Sequence, residues 1–406
     1  MGTQSGGSPM AGTVNIGLIG AGFLAETRMR CYAQVPGYSV TVPAVAARSA
    51  DSARSFADRH GIAQWHTEVT ELLENPDIQM VDLCVPNHVH RDIAVAAAEH
   101  GKHVVCTKPL TAYTGQDLPA DATDADIAGR DPALMLEHAT QEATAMVEAA
   151  RSNGVQLMYG ENWIFAPPIQ RAEGLMVRSG GSILEMRGGE AHCGSHSPYS
   201  KIWRYTGGGA LLRLGAHPIG TMLYLKQQEG VARNGRPIRP MSVMAETCDL
   251  TTIAETQGAR QNGIATGWQD VETWATALIT FEDGSVSVAY GSDNVLGGMQ
   301  SWLELFLSNS RIRCNIAPHD LVELYAPGQE VFEDTYLNEK ASTTAGWNAA
   351  IPDEDWSSGH VAMCHHFIDC AVNDKPTPCD GVLGLEVTRV IYAAYQSARE
   401  GRRVSL

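Results

Sequence analysis

Val14-Asn15-Ile16-Gly17-Leu18-Ile19-Gly20-Ala21-Gly22-Phe23-Leu24-Ala25 is the stretch on which the fold turns. An apolar run of strand length ends at a Gly-x-Gly-x-x-Ala turn, and a helix pattern follows over 23–34. Each small residue has a distinct use in such a turn. Gly20 permits the tight bend, Gly22 lets the backbone approach a pyrophosphate, and Ala25 lets the helix lie close on the strand. The helix N-terminus, at Phe23 and Leu24, then offers free N–H groups to an anion. A dinucleotide is the ligand this stretch predicts.

The same rhythm continues outward. Residues 40–47 read as a second strand, and Ser49 opens a helix that closes before Gly61. An apolar run over 80–85 is bounded by Pro86, an Ala-rich helix over 92–100 stops at Gly101, and a strand over 103–106 runs into Thr107-Lys108-Pro109. Strands regularly followed by helices predict a parallel sheet with helices on both faces. Residues 114–131 lose the period and read as an inserted surface loop. A helix over 132–153 and a strand over 155–159 then complete this half.

Beyond about Pro167 the period becomes 2. Stretches over 183–192, 241–247, 271–281, 285–290 and 302–307 predict a mostly antiparallel sheet, with Glu282-Asp283-Gly284 as a hairpin turn. Helices over 209–227 and 360–373 flank it. The predicted fold is an α/β Rossmann dinucleotide-binding domain over 14–165, with an insertion near 114–131. An α+β substrate and oligomerisation domain with a large, mostly antiparallel sheet follows over 166–383. Residues 384–406 form a C-terminal helix expected to pack back on the first domain, and the Gly/Ser-rich 1–13 read as a disordered or added leader.

Composition narrows the partners. The 406 residues exceed one ordinary core, and 44% are hydrophobic. The net charge of −17 and the lack of a Lys/Arg cluster argue against nucleic acid and anionic membranes. No apolar run is long enough to span a bilayer. Nine scattered cysteines, with no Cys-x-x-Cys pair, predict reduced thiols in a cytoplasmic protein.

Polar residues at strand ends carry the expected chemistry, because ligands of doubly wound sheets bind there. The second strand ends at Ala47-Arg48-Ser49, where an NAD-specific site usually has an acid. Arg48 leans to NADP through its 2′-phosphate, or stacks on adenine with either cofactor. In Pro86-Asn87-His88-Val89-His90, the residues Pro86, Asn87 and His90 are expected at the nicotinamide ribose, with helix capping as the alternative use of each histidine. Lys108 ends another strand. It either donates to a substrate hydroxyl or forms a surface ion pair.

Together, Gly20-x-Gly22, Pro86-Asn87-His88-x-His90, Gly101-Lys102-His103 leading to Lys108-Pro109, and Asn162 resemble the glucose–fructose oxidoreductase / inositol dehydrogenase / MocA (Gfo/Idh/MocA) family. The resemblance runs from about Val14 to Leu406. It implies an NAD(P)(H) cofactor, either tightly bound or exchanging, contacted by Thr107, Lys108 and Asn162 as well as the residues above. It implies a Lys108 that touches both ribose and substrate hydroxyl. The family's Asp-x-x-x-His motif becomes Arg213-x-x-x-His217, so His217 inherits the general base and Arg213 stands where an acid is expected. Thr107-Lys108-Pro109, the insertion, Gly189–His196 and 207–213 are most similar to the bacterial C-/O-glycoside 3-oxidase branch, which favours NAD and oxidation of a sugar C3 hydroxyl.

On this reading the partner is a small sugar or glycoside, and the resemblance implies a homo-oligomer built through the C-terminal sheet. Arg213 and His217, four apart in a helix pattern, are expected on one face, with Lys108 and Arg213 stabilising alkoxide charge and His217 taking the proton. Glu161, Trp163, His192, His196 and Trp203 are the expected substrate contacts. Glu190, His192, His196 and His217 also have metal-ligand chemistry, but the family needs no metal and none is predicted. Two other functions fit the sequence: an NAD-dependent deglycosidase acting through transient 3-oxidation, and a non-catalytic dinucleotide sensor.

Overall fold

Thr13–Ile19 forms strand β1, and Phe23–Ala33 is the helix after it. The computed structural model describes residues 12–195, 197–253, 262–318, 320–341 and 343–406, so His196 and nearly all of the expected leader lie outside the described residues. Five more strands join β1: β2 (Ser39–Ala46), β3 (Gln64–His66), β4 (Met80–Leu83), β5 (His103–Thr107) and β6 (Leu157–Gly160). Their order is β3-β2-β1-β4-β5-β6 and every pairing is parallel. The winding reverses between β1 and β4, which opens a crevice over the carboxyl ends of those strands. Gly20 is the hinge of that crevice. Its φ is +112°, and a Cβ there would lie 2.2 Å from the Cys84 carbonyl oxygen.

The insertion is more ordered than a plain loop. Thr123 and Asp126 form a reciprocal capping box that starts a short helix, Asp124–Ala128. Asp117 accepts hydrogen bonds from the Tyr113 hydroxyl and the Arg130 guanidinium. The long helix Pro132–Ser152 follows.

The second sheet contains β7 (Ile183–Ala191), β8 (Pro240–Cys248), β9 (Trp274–Phe281), β10 (Val286–Ser292), β11 (Gln300–Leu307) and β12 (Arg311–Asn315). A small pair, β13 (Glu323–Ala326) and β14 (Gly346–Ala349), stands apart, and β15 (Val404–Ser405) closes the chain. The sheet order is β12-β11-β7-β10-β9-β8-β15, antiparallel except between β7 and β10. Residues of β9 alternate between buried and half-buried, as expected when helices cover only one face. Helix Ala216–Asn234 packs under β7 and β10. The C-terminal helix, Gly381–Glu400, lies against both Pro132–Ser152 and β8, bridging the two sheets.

One expected helix is broken. Residues 209–227 divide into a short turn, Ala210–Arg213, and the helix Ala216–Asn234. The buried Glu272 carboxylate causes part of this, accepting the N–H groups of Gly209 and Leu211 at 3.0 and 2.8 Å and fixing the turn as a separate unit. Strand β10 presses on it at Gly291, where a Cβ would meet the Ala210 carbonyl oxygen at 2.7 Å. Arg213 and His217 therefore do not share a continuous helical face.

Candidate active site

The crevice begins at Gly22, the N-cap of the first helix. No side chain caps that helix, and a Cβ built at Gly22 would meet nothing within 4 Å. Uncapped N–H groups beside an open glycine form a cradle that fits a dinucleotide pyrophosphate. Phe23, 76% exposed, stands on its lip, Leu24 is half-buried, and Ala25 is buried among Leu18 and Val45. Arg48 is exposed at the end of β2. The Ser49 hydroxyl accepts the Ser52 N–H at 3.3 Å and so caps its own helix, which leaves only its O–H for a ligand.

At the end of β4, Pro86 leads into the turn Asn87–Val89. The Asn87 amide donates to the Thr206 carbonyl at 2.5 Å and ties the two halves of the chain together. His90 departs from expectation. It is buried, with Nε2 3.0 Å from the Val85 carbonyl oxygen and Nδ1 3.1 and 3.2 Å from those of Leu110 and Pro109. Backbone carbonyls face both ring nitrogens, one of which carries the proton, so His90 braces the Lys108-Pro109 turn. Burial lowers its pKa.

Thr107 and Lys108 follow from there. Thr107, half-buried, ends β5 beside Gly160. The Lys108 ammonium donates to the Arg213 carbonyl oxygen. Burial lowers the Lys108 pKa, Glu190 and Glu161 pull it back up, and Arg213 pushes it down again.

His217 lies in the first turn of Ala216–Asn234 and is buried. Its Nδ1 is 2.7 Å from Glu161 Oε1, and its Nε2 is 3.9 Å from Glu190 Oε2. Its ring stacks on Trp163, with centroids 5.4 Å apart and planes 13° apart. Two expected substrate contacts thus serve the histidine instead. Glu161 is wholly buried and also accepts the Trp163 N–H at 3.1 Å, and the Trp163 ring has no open face for a sugar. Asn162 donates to the Ser358 carbonyl at 2.8 Å, which fixes the loop after β6.

Arg213 is also reassigned. Its guanidinium pairs with the buried Asp293 and lies 5.0 Å over the Trp268 ring, so its charge is already neutralised. Its carbonyl oxygen, not its charge, reaches Lys108. His192 is buried at the end of β7, accepts the Gly194 N–H at 2.9 Å on Nδ1, and lies 3.6 Å from Asp293. Trp203 is core: its indole N–H donates to the Tyr113 carbonyl at 3.0 Å and its ring leans on Tyr395.

Asp293 and Trp268 escaped the sequence reading because neither stands in a motif. Glu190 stood out by its period-2 spacing from His192, and was joined to His217 only through metal-ligand chemistry. Among the described residues no group of three or more His, Cys, Asp or Glu side chains is arranged to hold a metal ion. Lys108, His217, Glu161 and Glu190 thus form one cluster of interacting charges beside the strand ends.

Comparison with known proteins agrees with this fold. Residues 14–126 match the Gfo/Idh/MocA oxidoreductase family's NAD-binding Rossmann fold, and residues 176–406 match its C-terminal alpha/beta domain. Levoglucosan dehydrogenase of Pseudarthrobacter phenanthrenivorans is 28% identical over 304 residues, covering 70% of this chain and 68% of its own. D-apiose dehydrogenase of Paraburkholderia graminis is 26% identical over 403 residues, covering 96% of this chain and 88% of its own. Among solved structures, GenD2 from gentamicin A biosynthesis, in complex with NAD, superposes with a TM-score of 0.78 at 22% identity, over 100% of this chain and 99% of that one. That likeness establishes the shared fold.

Proposed function

Because the chain belongs to the Gfo/Idh/MocA family of NAD-binding oxidoreductases, we propose that it oxidises a secondary hydroxyl of a sugar or glycoside, at C3, to a ketone. One observation carries this reading: Lys108 and His217 both feel the charge of the buried Glu190, and Glu161 is held against Nδ1 of the imidazole. A sensor has no use for an oriented base. Relatives named for levoglucosan and D-apiose support a carbohydrate substrate.

The bound nicotinamide supplies the hydride acceptor. The protein supplies the rest. Nδ1–H of His217 donates a hydrogen bond to Glu161, so the lone pair is on Nε2 and faces the site. Trp163 fixes the plane of that ring. The substrate hydroxyl loses its proton to Nε2 as the ketone forms. The Lys108 ammonium has three N–H bonds. One is anchored on the Arg213 carbonyl, and the others hold the substrate oxygen and the ribose. Arg213, paired with Asp293, sets the position of Lys108.

NAD is the expected cofactor, with the exposed Arg48 after β2 the candidate to meet a 2′-phosphate. The outer face of the second sheet presents Trp274, Leu278, Val288, Tyr290, Trp302 and Phe306, all half-buried, and we assign a homo-oligomer contact to it. Among the described residues no helix is long and apolar enough to cross a membrane, and the nine cysteines are unpaired, which supports a reducing cytoplasmic setting.

The test is incubation of the protein with NAD or NADP and a panel of sugars and glycosides, reading the reduced-nicotinamide band and the sugar products. A 3-keto product with stoichiometric reduced cofactor supports the proposal. Free aglycone with no net cofactor reduction refutes it in favour of deglycosidation.

A further inference from the structure

His217 stands between two carboxylates, and the mechanism above uses only one of them. The second is Glu190, on β7 and buried. At its register the neighbouring strands present Gly291 and Ser301, small residues that leave room for a carboxylate within the sheet. The Ser301 hydroxyl lies 3.5 Å from Oε2. The same oxygen is 3.9 Å from His217 Nε2.

That gap is too wide for a direct hydrogen bond. It suits an intervening hydroxyl oxygen, or a short swing of either side chain. Because Glu161 fixes the proton on Nδ1, Nε2 is the nitrogen that turns over. Once Nε2 has taken the substrate proton, it points a charged N–H toward Glu190.

We infer that Glu190 is the next acceptor in the path, receiving from His217 the proton of the oxidised hydroxyl. This rests on the sugar-oxidising reading above. The steps balance. The substrate O–H bond breaks and its proton forms Nε2–H. The C–H electron pair leaves as hydride to the oxidised nicotinamide dinucleotide, and the C=O bond forms. The Nε2–H bond then breaks, an Oε2–H bond forms, and His217 returns to its neutral state. Glu190 loses the proton to water before the next turnover.

The charged groups around Glu190 are His217 and Lys108, which draw its pKa down, and Glu161, which pushes it up; Asp293 and Glu339 also feel its charge. Burial is the largest influence and raises it, so the group binds a proton more readily than a surface glutamate.

The experiment compares wild type with Glu190→Gln, which keeps the shape and removes the basicity. Four readouts are taken: kcat and KM, their pH profiles, dinucleotide affinity by tryptophan fluorescence, and thermal midpoint. General acid–base groups contribute roughly 10²–10⁴-fold, and a relay partner sits at the low end of that range. We expect kcat to fall tenfold or more and dinucleotide affinity to stay within about twofold. The acid limb of kcat, which in wild type needs two groups deprotonated, should need only one. Glu190→Ala should regain part of its kcat when formate is added.

A kcat within twofold of wild type overturns the inference, as does a rise in KM alone, which would make Glu190 a substrate clamp. Loss of dinucleotide affinity together with a collapsed thermal midpoint, without formate rescue of Glu190→Ala, overturns it in favour of a structural role. Absence of turnover by wild type sinks the sugar-oxidising reading first and this inference with it.

Discussion

Replacing Glu161 with glutamine tests the orientation of the base. The carboxylate is wholly buried, and its Oε1 is 2.7 Å from His217 Nδ1. The substitution changes almost no volume. It replaces an anion, which accepts the Nδ1–H hydrogen bond and stabilises the imidazolium, by a neutral amide. A hydrogen bond to a charged group is worth about 1.5–3 kcal/mol. That much stabilisation of the protonated ring is withdrawn, and at about 1.4 kcal/mol per tenfold in rate, kcat should fall roughly tenfold to 150-fold. If the amide NH₂ faces Nδ1, the ring is held in the tautomer that carries N–H on Nε2, and the loss is larger. The assay is steady-state cofactor reduction with the best sugar from the panel, alongside dinucleotide binding by tryptophan fluorescence. Binding should be unchanged, because Glu161 faces the histidine and not the Gly22 cradle. A Glu161→Gln enzyme with kcat within twofold of wild type would refute the dyad.

Three further predictions concern two glycines and a buried carboxyl. Gly20→Ala puts a Cβ against the Cys84 carbonyl at a φ of +112°, and should destabilise the fold by more than ~1–3 kcal/mol in chemical denaturation. Gly22→Ala adds a Cβ that meets no protein atom within 4 Å, so its thermal midpoint should stay near wild type while dinucleotide affinity falls about tenfold or more, some 1.4 kcal/mol; intact affinity would disprove the cradle. Glu190 has a folded pKa raised above its ordinary 4.5, chiefly by burial. Below that ordinary value both folded and unfolded chains are protonated there, and the group costs nothing. As pH rises through the folded pKa, the fold must carry a buried charge and loses stability. Glu190→Gln should therefore melt above wild type near neutrality, with the difference vanishing at acid pH. A constant offset at every pH would contradict this.

The sequence was most informative where local pattern and long-range packing demand the same thing. The run from Val14 to Ala25 specifies strand, turn and helix through steric needs that are nearly local, and the period change after Pro167 announces the second sheet. Lys108 and His217 stand out in the sequence by a family pattern, and the structure places both near Glu190. The site was not legible where the deciding contact is long-range. Glu161 meets His217 across 56 positions, and Arg213 meets Asp293 across 80. Those pairings turned a supposed sugar ligand into an orienting acid, and a supposed alkoxide stabiliser into a neutralised anchor. His90 and Trp203 misled for a related reason: a polar or aromatic residue near a site satisfies backbone carbonyls as readily as it meets a ligand. The break at Leu214-Gly215 depended on Glu272, whose position no helical period could reveal.

The most direct test of the whole account is hydride transfer that depends on both Lys108 and His217. Wild type, Lys108→Met and His217→Phe would each be loaded with NAD, and the reduced-nicotinamide band followed on adding a sugar that wild type oxidises. The account predicts a rise in that band for wild type and a rate roughly 10²-fold or more lower for either variant, with NAD still bound. Equal rates in all three proteins would contradict it.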